Sequence, residues 1–151
     1  MRIVVDSNIV FSAILNTNGK IGDLLLNSEE TLQFFACDFL KSELEEHHQK
    51  LKAISKLSDL EINQSKEKIF QHITFVDTRI IPLATFQFAE ALASDIDPDD
   101  TEHVAFFVFL EGILWTGDKK LHSGLHSKGI NSVVNTDELW ALRTSLESET
   151  K

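Results

Sequence analysis

Short apolar runs alternate with helix-patterned segments along this chain, and that order leaves few folds open to it. Arg2 to Val5 is a β-branched run that stops at Asp6, the pattern of a strand buried in a parallel sheet. Ser7 and Asn8 are good helix caps, and Ile9, Val10, Ala13 and Ile14 follow at helical spacing. Gly19 breaks the pattern, and Ile21 to Leu26 reads as a second short helix. Gln33 to Cys37 is a second buried strand, after which Asp38 caps a helix to about Lys52 with Leu40, Leu44 and Leu51 on its apolar side. A polar helix, Asp59 to His72, and a short strand, Ile73 to Val76, come next. Pro82 precedes an amphipathic helix from Leu83 to Ser94.

Asp97-Pro98 opens another helix, with aspartate at the cap and proline at the first helical position. Val104 to Leu110 continues it as a helix buried on most sides, with Phe106, Phe107 and Phe109 in the core, and Gly112 ends it. Ile113 to Thr116 and Ile130 to Val134 read as strands, and Asn135 or Thr136 caps a last helix bearing Leu139, Trp140 and Leu142. The alternation predicts an α/β fold with a largely parallel sheet. It makes residues 1–145 one domain and 146–151 a frayed tail.

At 151 residues the chain can bury a core without cross-links. Its single cysteine, Cys37, excludes an internal disulfide and suits a reducing cytoplasm. The apolar run after Met1 meets Asp6 too soon for a secretory signal, and Val104 to Leu110 is too short to span a bilayer. The expectation is a cytoplasmic protein without a membrane partner. A net charge of −10 argues against bulk, non-specific nucleic-acid binding. It agrees with carboxylates gathered round a cation, with a basic partner, or with solubility alone.

The acids fall in a pattern. Asp6 ends the first strand, and Asp118 follows the Ile113–Thr116 strand across Gly117. Asp100 stands in the first turn of the helix feeding that strand, and Glu43 about one turn into the helix after the second strand, bordering its apolar stripe. In a parallel sheet all four positions lie at the carboxyl edge, where ligands bind. Carboxylates within ~4–6 Å repel one another unless a cation compensates. Mg²⁺ and Mn²⁺ prefer such oxygen ligands, and phosphodiester hydrolysis is the natural chemistry of the set. Each acid also has an ordinary role available: a dipole partner for Asp100, a strand-ending turn for Asp6, a turn or cap for Asp118, a solvated helix position for Glu43. Asp95, Asp97, Asp99 and Glu102 read mostly as a solvated helix entrance.

The segments VVDSN, SELEEH, DPDDTEHVAF and LWTGDKKL, in that order over residues 1 to 142, resemble the motif series of PIN domains. These are PilT N-terminus-like nucleases that include the VapC-type toxins. The resemblance implies a three-layer α/β/α fold with a five-stranded, largely parallel sheet. It implies Mg²⁺ or Mn²⁺ held by Asp6, Glu43, Asp100 and Asp118, with Asn8 and Thr116 orienting the site. Asp100 is preferred to Asp99 because its spacing to Asp118 fits the family pattern. Further implications are cleavage of single-stranded RNA, a cognate antitoxin and a homodimer.

Other features carry less. Gly19-Lys20 lacks the earlier glycine of a P-loop, and no GxSxG or GxGxxG occurs. Lys119 and Lys120 are candidates for phosphate contacts, against a solvated turn. His122 and His126 lie four apart but lack further ligands; His103 shares a helical face with Asp100 and reads as a cap or packing residue ahead of a site residue. Two other functions compete with a nuclease. One is a non-catalytic PIN-fold module that binds a protein. The other is a receiver-like phosphoacceptor, which the Ser7-Asn8 following Asp6 disfavours.

Overall fold

The computed structural model describes residues 1–149. A sheet of β1 (Arg2–Val5), β2 (Gln33–Cys37), β3 (Ile73–Val76), β4 (Ile113–Trp115) and β5 (Val133–Val134) is parallel throughout, in the order β3-β2-β1-β4-β5. The helices are α1 (Ser7–Leu15), α2 (Lys20–Leu26), α3 (Phe39–Glu46), α4 (His48–Ser55), α5 (Asp59–Phe70), α6 (Leu83–Ala93), α7 (Thr101–Leu110), α8 (Lys119–Ser127) and α9 (Thr136–Glu149).

Alternation along the strands divides the core in two. Ile3, Val5, Phe34 and Trp115 meet residues of α1 to α5 and α9 on one face, whereas Val4, Cys37 and Leu114 meet those of α6, α7 and α8 on the other. Both faces are therefore dry, which is why β1 is apolar from Ile3 to Val5. The architecture is the expected three-layer α/β/α fold.

Local signals explain most of the boundaries. Ser58 and Glu61 form a reciprocal capping box at α5, and Asn135 and Glu138 exchange the same pair of bonds at α9. The structure differs from the sequence reading in several places. Asp6, not Ser7 or Asn8, caps α1 by accepting from Ile9 N–H at 3.1 Å. Asp38 makes no side-chain cap, and the helix expected to reach Lys52 breaks at His47 into α3 and α4. Between Leu44 and Leu51 the chain has only polar and charged residues, so no apolar contact holds that turn straight.

Glu111, with φ of 53°, makes the left-handed turn that ends α7, and Gly112 N–H closes it on Phe107 O. Gly112 serves instead as a close approach, since a Cβ there would come within 2.9 Å of Arg2 O. Helix α8 fills a stretch to which the sequence reading assigned no element, with Asp118 as its cap; β5 starts at Val133 rather than Ile130. Phe109 is exposed, unlike Phe106 and Phe107. Helix α9 continues to Glu149, past the expected fraying near Ser145; the rest of that tail, 150–151, lies outside the described residues. Among the described residues no helix is long and apolar enough to cross a membrane.

Candidate metal centre

The central strand pair builds the floor of the site. Val5 pairs with Trp115 in register, so the chain leaves β1 at Asp6 beside the point where it leaves β4 at Thr116. Thr116 is buried, and its hydroxyl joins two of the predicted acids: it donates to Asp6 Oδ2 and accepts from Asp118 N–H at 3.0 Å. Asp6 spends its other oxygen on capping α1. Asp118 caps α8, its Oδ1 accepting from Lys120 N–H at 2.9 Å and Leu121 N–H at 3.2 Å. Both aspartates thus hold helix starts, and for Asp118 this leaves Oδ2 outside the cap.

Asp100 arrives from the third side. A single 3₁₀ turn, Pro98–Asp100, precedes α7, and Asp97 caps it by accepting from Asp99 N–H at 3.0 Å. One carboxylate oxygen each from Asp97, Asp100 and Asp118 lie within 4.8 Å of one another. Asp100 Oδ2 is buried and, among the described residues, has no hydrogen-bond partner. Burial, and then the charges of Asp97, Asp6, Asp118 and Asp99, push the Asp100 carboxyl up to about 7. Burial also pushes Asp6 up to about 6, against the bonds from Thr116 and Ile9, with Asp118 adding repulsion.

Three of the four predicted acids, Asp6, Asp100 and Asp118, therefore share one electrostatic neighbourhood. Asp97, read from the sequence as a cap in a solvated stretch, joins it while remaining a cap. Its spacing of three from Asp100 across a proline was the available signal. Glu43 connects differently: its Oε1 accepts from Ser7 Oγ at 2.9 Å, and Ser7 follows Asp6 in the chain. Burial raises the Glu43 carboxyl, opposed by that bond; His47, Glu102 and Glu46 are the charges acting most on it. The Asn8 side chain is exposed and, among the described residues, makes no hydrogen bond to the acids, so the polar contact from this turn of α1 comes from Ser7.

Lys119 and Lys120 are exposed in the first turn of α8, and among the described residues neither forms an ion pair. A groove of about 270 Å³ opens beside Asp118, lined also by Lys119, His122 and Asn135. A larger one, of about 440 Å³, lies at Gln33 and His72, by the amino ends of β2 and β3 and away from every acid of the cluster. Chemistry favours the smaller.

The donor set fits a hard divalent cation. It is all oxygen, it includes a buried oxygen without a partner among the described residues, and the charges that act most on Asp100 are negative.

Comparison with known proteins bears on the fold and the family. A chain from the crystal structure of VapBC2 from Rickettsia felis, bound to a DNA fragment from their promoter, superposes with a TM-score of 0.62. It is 18% identical, and the match covers 89% of this chain and 98% of that one, a likeness of fold. No curated protein matches the chain. The family model described as PIN domain matches residues 4–147, nearly the whole length, and the chain belongs to the PIN domain family.

Proposed function

We propose that this chain is a Mg²⁺- or Mn²⁺-dependent endoribonuclease that cleaves single-stranded RNA, and that it is the toxin of a toxin–antitoxin pair. The observation that carries the reading is Asp100 Oδ2, a buried carboxylate oxygen with no partner among acids that repel it. An orphan of that kind costs stability unless something fills it. Asp97, Asp100 and Asp118 would hold the cation, with Asp6 and Glu43 as further oxygen ligands. A divalent ion there supplies Lewis acidity toward a phosphoryl oxygen and lowers the pKa of bound water.

The chain's own residues do the rest. Thr116 fixes Asp6 and Asp118 with one hydroxyl, so the two carboxylates keep their spacing. Lys119 and Lys120 offer the unpaired cations nearest Asp118 and attract a phosphate backbone that the protein's overall charge of −10 otherwise repels. Support for a partner comes from the fold neighbour, which belongs to a VapBC2 assembly; a cognate antitoxin, a homodimer and a cytoplasmic location are parts of this proposal.

The test is incubation of the purified protein with single-stranded RNA and DNA, with Mn²⁺ or with a chelator, beside Asp100→Asn. Cleavage of RNA that needs the metal and vanishes in the variant is expected. A folded wild type that binds metal but cuts neither polymer would instead favour a binding module.

A further inference from the structure

Histidine 103 belongs to none of the acids, yet it is buried at 4% exposure beside them. It lies three residues after Asp100, on the helix that starts directly after the residue bearing the orphan oxygen. Its ring packs on Phe39 with centroids 5.2 Å apart. Nε2 stands 3.3 Å from Ser7 Oγ, and Nδ1 stands 4.0 Å from Cys37 Sγ. Four elements meet there: α7, α1, β2 and, through Glu43, α3.

Hydrogen-bond accounting fixes the direction of the two links through Ser7. Serine has one hydroxyl proton, and Ser7 gives it to Glu43 Oε1, which as a carboxylate only accepts. Toward His103, Ser7 Oγ is therefore the acceptor, and Nε2 must carry a proton. Burial drives the His103 pKa down to about 4, so the ring is neutral near pH 7 and Nδ1 bears a lone pair. The Cys37 thiol, which burial keeps protonated by pushing its pKa far upward, stands 4.0 Å from that lone pair and 3.9 Å from Glu102 O, the acceptor to which its proton points. From His103 Nε2 through Ser7 Oγ to Glu43 Oε1, each donor thus meets an acceptor.

We propose that His103 is a positioning residue for Glu43, acting through Ser7 to hold the glutamate carboxylate in one orientation beside the aspartates. The inference rests on the metal-centre reading for its purpose, but not for its geometry. Outer partners of this type fix the rotamer of a ligand that would otherwise sample several, and losing one costs roughly 10–100-fold in metal affinity. Glu43 is half-buried on α3, and among the described residues Ser7 supplies its one side-chain hydrogen bond. Without that bond no side-chain hydrogen bond among the described residues would hold the glutamate's rotamer.

Two sets of measurements test the relay. In the metal-free wild type, a long-range ¹H–¹⁵N spectrum is expected to show His103 protonated on Nε2; the Nδ1–H tautomer would overturn the proposal. In the same state the Glu43 carboxyl ¹³C signal is expected to move in Ser7→Ala and in His103→Leu. It should return in His103→Gln, whose amide reaches the Nε2 position, but not in His103→Asn, whose amide reaches only as far as Nδ1. Equal recovery by both amides would mean that polarity or volume alone matters, and would sink the relay. Mn²⁺ affinity should fall roughly 10–100-fold in Ser7→Ala and in His103→Leu, with the double variant no weaker than either single one. Losses that multiply, or a folded His103→Leu that binds as tightly as wild type, would refute it. Should His103→Leu fail to fold, Ser7→Ala and the wild-type tautomer still decide. A wild type that binds no Mn²⁺ removes the nuclease reading, and the metal-free spectra then judge the relay separately.

Discussion

Asp6→Asn is expected to make the metal-free protein more stable at pH 8. Asp6 is 3% exposed, and burial above all moves its carboxyl from 3.8 to about 6. A raised acid penalises the folded state once the unfolded chain has lost its proton. The handicap is therefore absent below the unfolded value, grows as pH rises from about 4 to about 6, and is constant above that. Two pH units correspond to ~3 kcal/mol. Asparagine keeps the cap on Ile9 N–H, but it reverses the bond with Thr116 and strands the threonine proton, a loss of about 1 kcal/mol. The net gain is about 2 kcal/mol, which for a chain of this length raises Tm by roughly 4–8 °C. Calorimetry in EDTA at pH 8 and at pH 4 reads it directly, and the gain should be gone at the lower pH. A variant less stable than wild type at pH 8, or a gap that ignores pH, would show that Asp6 is not held as a strained anion.

Mn²⁺ at 100 times its Kd should raise stability by about 2.7 kcal/mol, and EDTA should reverse the gain; scanning calorimetry should find the rise diminished in both Asp97→Asn and Asp100→Asn. Arg143, buried on α9, binds Asp23 at 2.9 Å and Ser28 at 3.1 Å and lies 4.3 Å over Trp140. Because Asp23 is partly solvated, Arg143→Met should cost about 2 kcal/mol in urea titration, and an unchanged midpoint would deny the link between α2 and α9. The Cys37 thiol, fully buried and pushed well above the ordinary thiol range, should resist alkylation in the native protein and react at once in guanidinium; fast native labelling would contradict the burial.

What the sequence revealed and what it hid follow from the range of the forces involved. The buried strands announced themselves because a parallel strand needs apolar side chains on both faces, and Arg2–Val5 or Gln33–Cys37 has few other readings. The acids at the ends of β1 and β4 followed from topology. Helix α8 stayed hidden because its buried residues, Leu121 and Leu125, sit among polar ones and a glycine. Gly124 weakens the local preference, yet tertiary packing requires it: a Cβ would come within 2.5 Å of Ile96 Cδ1. Asp97 was missed because one side chain performs two tasks, and the capping pattern accounted for it fully. Ser7 was missed for a similar reason, since its contact with Glu43 joins residues 36 apart and leaves no local trace.

Thr116 and Asp6 are 110 residues apart, and their strands meet only because β4 inserts beside β1. During synthesis the first strand therefore waits, with one edge open, until most of the polypeptide has left the ribosome. A chain halted before Ile113 carries Asp6, Glu43, Asp97 and Asp100 but has no β4 against which to align them. Order of translation thus leaves the acidic centre unassembled until β4 has been made.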